Sequence, residues 1–181
     1  MTSKNTVKEK IIIYTIGHST RKLSDFIKIL NAYGIQKVVD VRTIPRSHHN
    51  PQFNEEHLKD FLQKHTIGYV HIKELGGLRH TTQDSVNLGW HNVSFRGYAD
   101  YMQTEEFLIG LEKLMKLADK KKVVIMCAEA VPWLCHRSLI GDALLIRNYN
   151  VEDIFTEHSV KPHALTSFAH VWGRKIAYPK S

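Results

Sequence analysis

The sequence predicts a single α/β domain, a three-layer sandwich in which a mainly parallel sheet is flanked by helices. Three observations predict it. Short apolar runs at residues 11–16, 35–41, 69–72, 123–127 and 151–155 alternate with stretches of amphipathic, helical spacing. The runs are continuous and rich in β-branched residues, as in strands covered on both faces. The chain has 181 residues with 43% hydrophobic and 24% charged content, the size and balance of one globular domain that needs no staples. Residues 11–178 read as that domain and residues 1–10 as a polar N-terminal extension.

The first strand, 11–16, runs into Gly17-His18-Ser19-Thr20. Ser24 suits a helix N-cap, Phe26, Ile27 and Leu30 form one face, and Gly34 suits the position after the helix. Residues 35–41 follow as the second strand, closing on Asp40-Val41-Arg42 and completing a right-handed βαβ unit. Residues 43–53 are a polar loop with Pro45, Arg46, His48, His49 and Pro51. Asn54 precedes a helix with Glu55 and Glu56 in its first turn and Leu58, Phe61 and Leu62 inward. Gly68 ends that helix, and 69–72 is a short strand. The pair Gly76-Gly77 permits positive φ or a close approach. Residues 80–96 are weakly periodic, and a loop of that length reads as a lid or a functional segment. Thr104 caps a helix with Phe107, Leu108, Leu111, Leu114 and Met115 on its inner face. The strand 123–127 leads into a loop and a helix marked by Leu139, Ile140, Ala143 and Leu144. A last strand is expected at 151–155 and a C-terminal helix at 163–171, after Pro162.

Two cysteines make no disulfide framework, so the thiols read as free and the compartment as reducing. The first ten residues lack a signal-peptide core, and no apolar run is long enough to span a bilayer, so a cytoplasmic location without membrane contact is expected. The formal charge of +7 suggests a phosphate-bearing partner, either nucleic acid or a small molecule, although runs such as Lys120-Lys121-Lys122 are also ordinary solvated surface.

The chemistry concentrates in Cys127-Ala128-Glu129 and Cys135-His136-Arg137, which hold both cysteines of the chain. A strand, a tight loop and a helix start place these groups beside free N–H groups, where a thiolate or an anion is stabilised. Ligands of parallel α/β sheets bind beyond the carboxyl ends of the strands. That rule gathers His18 and Ser19, Asp40 and Arg42, Gly76, Gly77 and Arg79 around the same crevice. Cys127, Cys135, Glu129, His18 and His136 are the catalytic candidates. Ser19, Arg42, Arg46, Arg79, Arg137 and Tyr98 are the candidates for holding substrate or anion. Each has a structural alternative. Cys127 can be a small buried hydrophobe and Cys135 can pack under the loop. His18 can brace a loop, Glu129 can cap the helix, and Arg42 can pair with Asp40 or Glu129. Arg137, in the first turn of a helix, opposes the helix dipole, which favours an anionic partner for it.

Cys127, Cys135 and His136 could supply three metal ligands, but no C-x-x-C, H-E-x-x-H or H-x-E spacing accompanies them, so no metal is expected. The phosphate-loop and dinucleotide glycine patterns are absent, and the sequence names no cofactor. In residues 90–102 aromatic and basic side chains interleave. Tyr101 and Met102 fit the core face of a short helix with Tyr98, while Trp90, Phe95 and Arg96 are candidates for substrate contact.

Several of these motifs recur together. Thr15-Ile16-Gly17-His18-Ser19-Thr20, Val38-Val39-Asp40-Val41-Arg42, Pro45-Arg46-Ser47 with Pro51-Gln52-Phe53-Asn54, and Leu75-Gly76-Gly77-Leu78-Arg79 come first. Gly97-Tyr98-Ala99-Asp100-Tyr101-Met102, Met126-Cys127-Ala128-Glu129 and Cys135-His136-Arg137 follow in order. The chain resembles the DUF488 family, a domain family without an assigned general function, from about residue 11 to residue 178. The resemblance implies a compact α/β domain with a Cys/His/Arg crevice and supplies no reaction. A weaker analogy links the early V-D-V-R and the strand–cysteine–loop–helix order to rhodanese-like domains. Here Arg137-Ser138 stand too far from Cys127 for their short anion-cradling loop, and the phosphatase spacing C-x₅-R fails likewise, so the analogy speaks to fold class.

Three functions compete. The first is an enzyme acting on a phosphate-bearing substrate, nucleic acid or nucleotide, with Arg42, Arg79 and Arg137 holding the anion. The second is sulfur transfer or redox cycling between Cys127 and Cys135. The third is a non-catalytic, basic nucleic-acid-binding module whose Cys/His/Arg cluster braces loops. The first ranks slightly above the third, and the thiol function ranks last.

Overall fold

A computed structural model describes residues 10–180. The predicted polar extension lies, but for Lys10, outside the described residues. Strands β1 (Ile12–Gly17), β2 (Lys37–Asp40), β3 (Gly68–His71), β4 (Val123–Cys127), β5 (Asn150–Thr156) and β6 (Ser159–Pro162) form one sheet in the order β3-β2-β4-β1-β5-β6. The first five are parallel, and β6 returns antiparallel along β5. Helices α1 (Leu23–Ala32) and α2 (Glu55–Lys64) cover one face, packing Phe26, Leu30, Leu58 and Leu62 against Ile16, Val38, Val124 and Met126. Helices α3 (Val93–Tyr101), α4 (Glu105–Ala118) and α5 (Arg137–Leu145) cover the other, over Ile13, Val39, Ile125 and Val151. This is the three-layer α/β sandwich that the continuous apolar runs predict. Among the described residues, no helix is long and apolar enough to cross a membrane.

The strand order makes the crevice. Neighbouring strands β1 and β4 pair through Gly17 and Cys127. From its end β1 crosses to β2 on one side, while β4 crosses to β5 on the other. Diverging connections leave a gap beyond adjacent carboxyl ends, the place where α/β sheets bind ligands. The pairing continues past the strands, because His18 N–H donates to the Cys127 carbonyl at 2.8 Å and Ser19 N–H to that of Ala128 at 3.0 Å. Only glycine fits at residue 17, since a Cβ there would lie 1.6 Å from the Glu129 carbonyl oxygen. Ser19 then turns away with φ of 50°, a left-handed conformation that ends the run.

Several expected boundaries move. Helix α1 starts at Leu23 with Lys22 at the cap position, so Ser24 lies inside the first turn. Asn54 does precede α2, but its side-chain oxygen accepts from Ser47 N–H and binds the preceding loop instead of capping. Thr104 caps α4 as expected, accepting from Phe107 N–H. The loop after Gly77 is no free lid. Asp100 of α3 accepts hydrogen bonds from Thr81, Thr82, Ser85 and Asn87, which pins the loop to the core. The buried Asn87 in turn accepts from Tyr178 N–H.

The C-terminal helix expected at 163–171 does not form. After β6, a small hairpin of β7 (His170–Trp172) and β8 (Lys175–Ala177) turns at Gly173, where φ is 63°. Tertiary polar contacts override local periodicity here. His163 lies between two carboxylates, 3.0 Å from Asp153 and 3.1 Å from Asp142. Thr15 donates to Asp153, while Thr166 N–H and Tyr178 OH donate to Asp142. The imidazolium ties β5, α5 and the C-terminal segment together.

Burial alone would lower the His163 pKa, but hydrogen bonds and charge from Asp142 and Asp153 raise it to about 9. A raised value means that the charged clamp stabilises fully below the unfolded value of about 6.5 and is lost as pH climbs through 9. H163Q should therefore cost on the order of 2–3 kcal/mol at pH 6 and flatten the decline in stability between pH 6.5 and 9. Urea titrations of both proteins across that range check this.

Candidate active site

Cys127 ends β4 in a fully buried strand, and the 128–131 loop returns over it to a 3₁₀ turn (Pro132–Leu134) and then to Cys135. Between the loops after β2, β3 and β4 lies a pocket of about 400 Å³. Cys127, Cys135, His136, Glu129 and Arg42 line it together with apolar side chains.

Arg137 organises the thiols. The residue is 1% exposed. One terminal nitrogen donates to Cys127 Sγ at 2.7 Å and to the Glu129 carbonyl at 2.6 Å. The other donates to the Ala130 carbonyl at 3.2 Å, and Nε finds no acceptor among the described residues. The backbone N–H of the same residue, at the start of α5, lies 3.5 Å from Cys135 Sγ. One residue thus touches both sulfurs.

The two thiols are driven apart in acidity. Burial raises the pKa of Cys127, but a hydrogen bond from the Cys135 thiol and the charge and hydrogen bond of Arg137 outweigh it, and the value falls to about 7. Burial pushes the Cys135 thiol up, and the neighbouring Cys127 pushes it further. As pH rises through neutrality the pair loses its first proton and becomes a thiolate beside a protonated thiol. A low-pKa thiolate is the nucleophilic form, and an adjacent cation is what produces it.

His136 stands over Cys135. Its Nε2 donates to the Val41 carbonyl at 2.9 Å, which leaves Nδ1 with a lone pair 3.6 Å from Cys135 Sγ. Burial lowers its pKa to about 4, so the ring is neutral. Gly77 makes room for it, because a Cβ there would meet Nδ1 at 2.5 Å. The paired glycines do serve a close approach, and the approaching group is this imidazole.

Arg42 is committed to the protein. It forms a two-pronged ion pair with the fully buried Asp40, at 2.9 and 2.6 Å, and also donates to the Phe53 carbonyl. Tyr69 OH donates to the same carboxylate. His18 is buried and stacked on Phe53 at 4.3 Å. Its Nδ1 donates to the Ser19 carbonyl at 2.8 Å and its Nε2 faces Arg42 at 3.4 Å, so both ring nitrogens are occupied in bracing. Burial, which dominates, lowers its pKa to about 4.

The remaining candidates scatter. Glu129 is exposed on the rim, and its carbonyl, not its carboxylate, serves Arg137; it does not cap α5. Arg79 lies over the Tyr101 ring at 3.6 Å and donates to the Gly76 carbonyl. Tyr98 is fully buried and donates to the Leu75 carbonyl, under the pocket floor. Arg46 is exposed and, like Ser19, Arg79, Arg137, His18 and Tyr98, does not line the pocket. Tyr101 and Met102 are core, as their spacing predicts. Of the three aromatic and basic candidates upstream, Phe95 lines the pocket, Trp90 stacks behind it at 4.9 Å, and Arg96 is spent on the Trp90 carbonyl. Sequence reasoning missed Ile44, Leu78 and Leu134, which form the pocket mouth. Ile44 alone carries a signal, an apolar residue isolated among polar neighbours, whereas Leu78 and Leu134 stand in segments that are themselves apolar or glycine-rich. Among the described residues, no three His, Cys, Asp or Glu side chains gather as a metal-holding group.

A family model described as "Domain of unknown function DUF488" matches residues 22–144. No curated protein and no solved structure matches the chain.

Alkylation of the native protein should label Cys127 with a midpoint near pH 7, while Cys135 stays unlabelled until far more alkaline pH. R137Q should move the Cys127 midpoint above about 8.5, the ordinary thiol value. Peptide-resolved mass spectrometry after timed labelling reads both sites, with circular dichroism confirming that the variant is folded.

Proposed function

We propose a function for a chain that belongs to the DUF488 family, a domain family of unknown function: it is a thiol enzyme in which Cys127 attacks a disulfide and Cys135 resolves the product. The observation that carries this is the contact of one buried guanidinium, that of Arg137, with the Cys127 sulfur beside a second thiol in the same pocket.

The chemistry balances as a two-electron exchange. The Cys127 thiolate attacks one sulfur of a substrate R–S–S–R′, its S–S bond breaks, and R′S⁻ leaves to take a proton from solvent. Cys127 is then a neutral mixed disulfide. The negative charge that held the Cys135 pKa up is gone, while the Arg137 charge and its N–H remain beside Cys135. The second thiol becomes more acidic at the moment it is needed, His136 Nδ1 accepts a hydrogen bond from it, and its proton passes to solvent. Its thiolate attacks the Cys127 sulfur, the mixed disulfide bond breaks, and RS⁻ leaves to take a proton from solvent. The enzyme is left with a Cys127–Cys135 disulfide, the substrate is reduced to two thiols, and a dithiol reductant restores the resting state. A reducing cytoplasm would supply the free thiols from which the cycle starts.

A phosphate-bearing substrate has less support. Arg42 is neutralised by Asp40, Arg79 is stacked on Tyr101, and the loop after Cys127 turns carbonyls toward Arg137 where an anion would need N–H groups. Nucleic-acid binding has a separate basis. Lys10, Lys120, Lys121 and Lys122 line one surface at the amino ends of the strands, away from the thiols, and binding there would be indifferent to C127S.

Treatment of the reduced protein with bis(2-hydroxyethyl) disulfide should remove two hydrogens from the chain by linking Cys127 to Cys135. C135S should instead trap a mixed disulfide on Cys127, and C127S should give neither product. Intact-mass and peptide mass spectrometry distinguish these, and a wild-type protein that forms no adduct and no internal disulfide would overturn the function.

A further inference from the structure

Three loops bring apolar side chains to the mouth of the thiol pocket. Ile44 follows β2, Leu78 follows β3 and Leu134 follows β4, and they remain 61%, 75% and 61% exposed. Phe95 of α3 forms the inner wall. Such residues have no packing reason to stand in solvent, and three converging on one opening mark a binding surface. The charges are equally informative. Among the ionisable lining groups His136 is neutral, and Arg42 is cancelled by the buried Asp40. The Arg137 guanidinium answers the Cys127 sulfur at 2.7 Å, which leaves the exposed Glu129 carboxylate as the lining charge without an ion-pair partner among the described residues. The chain as a whole carries +7, so the local and the global electrostatics point in opposite directions.

We propose that this pocket selects a small, apolar, uncharged sulfur compound and turns away anionic ones, with Ile44, Leu78, Leu134 and Phe95 as the recognition surface and Glu129 as the group that repels anions. The proposal rests on the thiol function above and names the substrate class of that site. The volume of about 400 Å³ suits a ligand of small-molecule size. The long-range field of the molecule would bring anions nearer, but at 0.15 M salt that field decays over about 8 Å, and close contact is decided by Glu129.

The test uses the full chain and three maleimides that share one electrophile: N-cyclohexylmaleimide, N-methylmaleimide and 3-maleimidopropionate. Each rate at Cys127 is divided by the rate of that reagent with free 2-mercaptoethanol at an equal thiolate fraction, which removes intrinsic reactivity. The expected order is cyclohexyl, methyl, propionate, with steps of roughly tenfold from apolar contact and from one unit charge at short range. E129Q should raise the propionate-to-methyl ratio several-fold, and L78S with L134S should erase the cyclohexyl preference. A propionate rate equal to or above the methyl rate, with Cys127 still the labelled residue, overturns the proposal and leaves the thiol function standing. No labelling of Cys127 above that of the denatured chain overturns both.

Discussion

The contact between the Arg137 guanidinium and the Cys127 sulfur is the interaction on which the rest of the site depends. A buried arginine is tolerable only if its charge and its N–H groups are answered. Two loop carbonyls and a thiolate answer most of them, and Nε is left over. The same residue therefore shapes the 128–131 loop, holds it against α5 and sets which of two thiols is ionised. Fold and reactivity share one side chain. The opposition between a cation and the dipole at the start of α5 is resolved because the counter-charge is a side chain of the chain itself.

A second buried pair supports the first from across the crevice. Asp40 and Arg42, with Tyr69 and the Phe53 carbonyl, lock the end of β2 and the loop that carries Ile44. His18 wedges between Phe53 and Arg42 and passes that rigidity on to the end of β1. The polar residues that look most reactive in the sequence thus divide into two groups. Those after β1 and β2 form a frame, and those around β4 and α5 gather the two thiols at one pocket. Basic side chains aligned along the carboxyl edge of a sheet suggest anion binding until their acceptors are seen. Here Arg42, Arg79 and Arg137 have internal partners.

Much of this was legible in the residues. Continuous apolar runs gave every strand of the parallel sheet, because burial on both faces leaves a one-dimensional signature. The convergence of Cys127, Cys135 and His136 followed from topology alone. Arg42 and Asp40 are two positions apart, so their pairing could be considered as an alternative. Other features had no local trace. Arg79 finds Tyr101 across a turn and a long loop, and the His163 clamp joins three elements, so a pattern of helical period in residues 163–171 was misleading. Strand β6 is short, polar and at the sheet edge, where burial leaves little periodicity to read. The reach of one arginine to two sulfurs is likewise a fact of three dimensions, without a trace in the spacing of Cys127, Cys135 and Arg137.

The glycines at 17 and 77 carry a consequence for recognising this site in other chains. One lets the loop after Cys127 lie on the end of β1, and the other lets an imidazole settle over Cys135. In each case what matters is a missing methyl group. A protein with the same cysteines, histidine and arginine but an alanine at either glycine would keep every one of these side chains and lose the arrangement that brings them together. The imprint of this arrangement in a sequence is therefore partly a pair of absences, which a search for polar side chains alone would pass over.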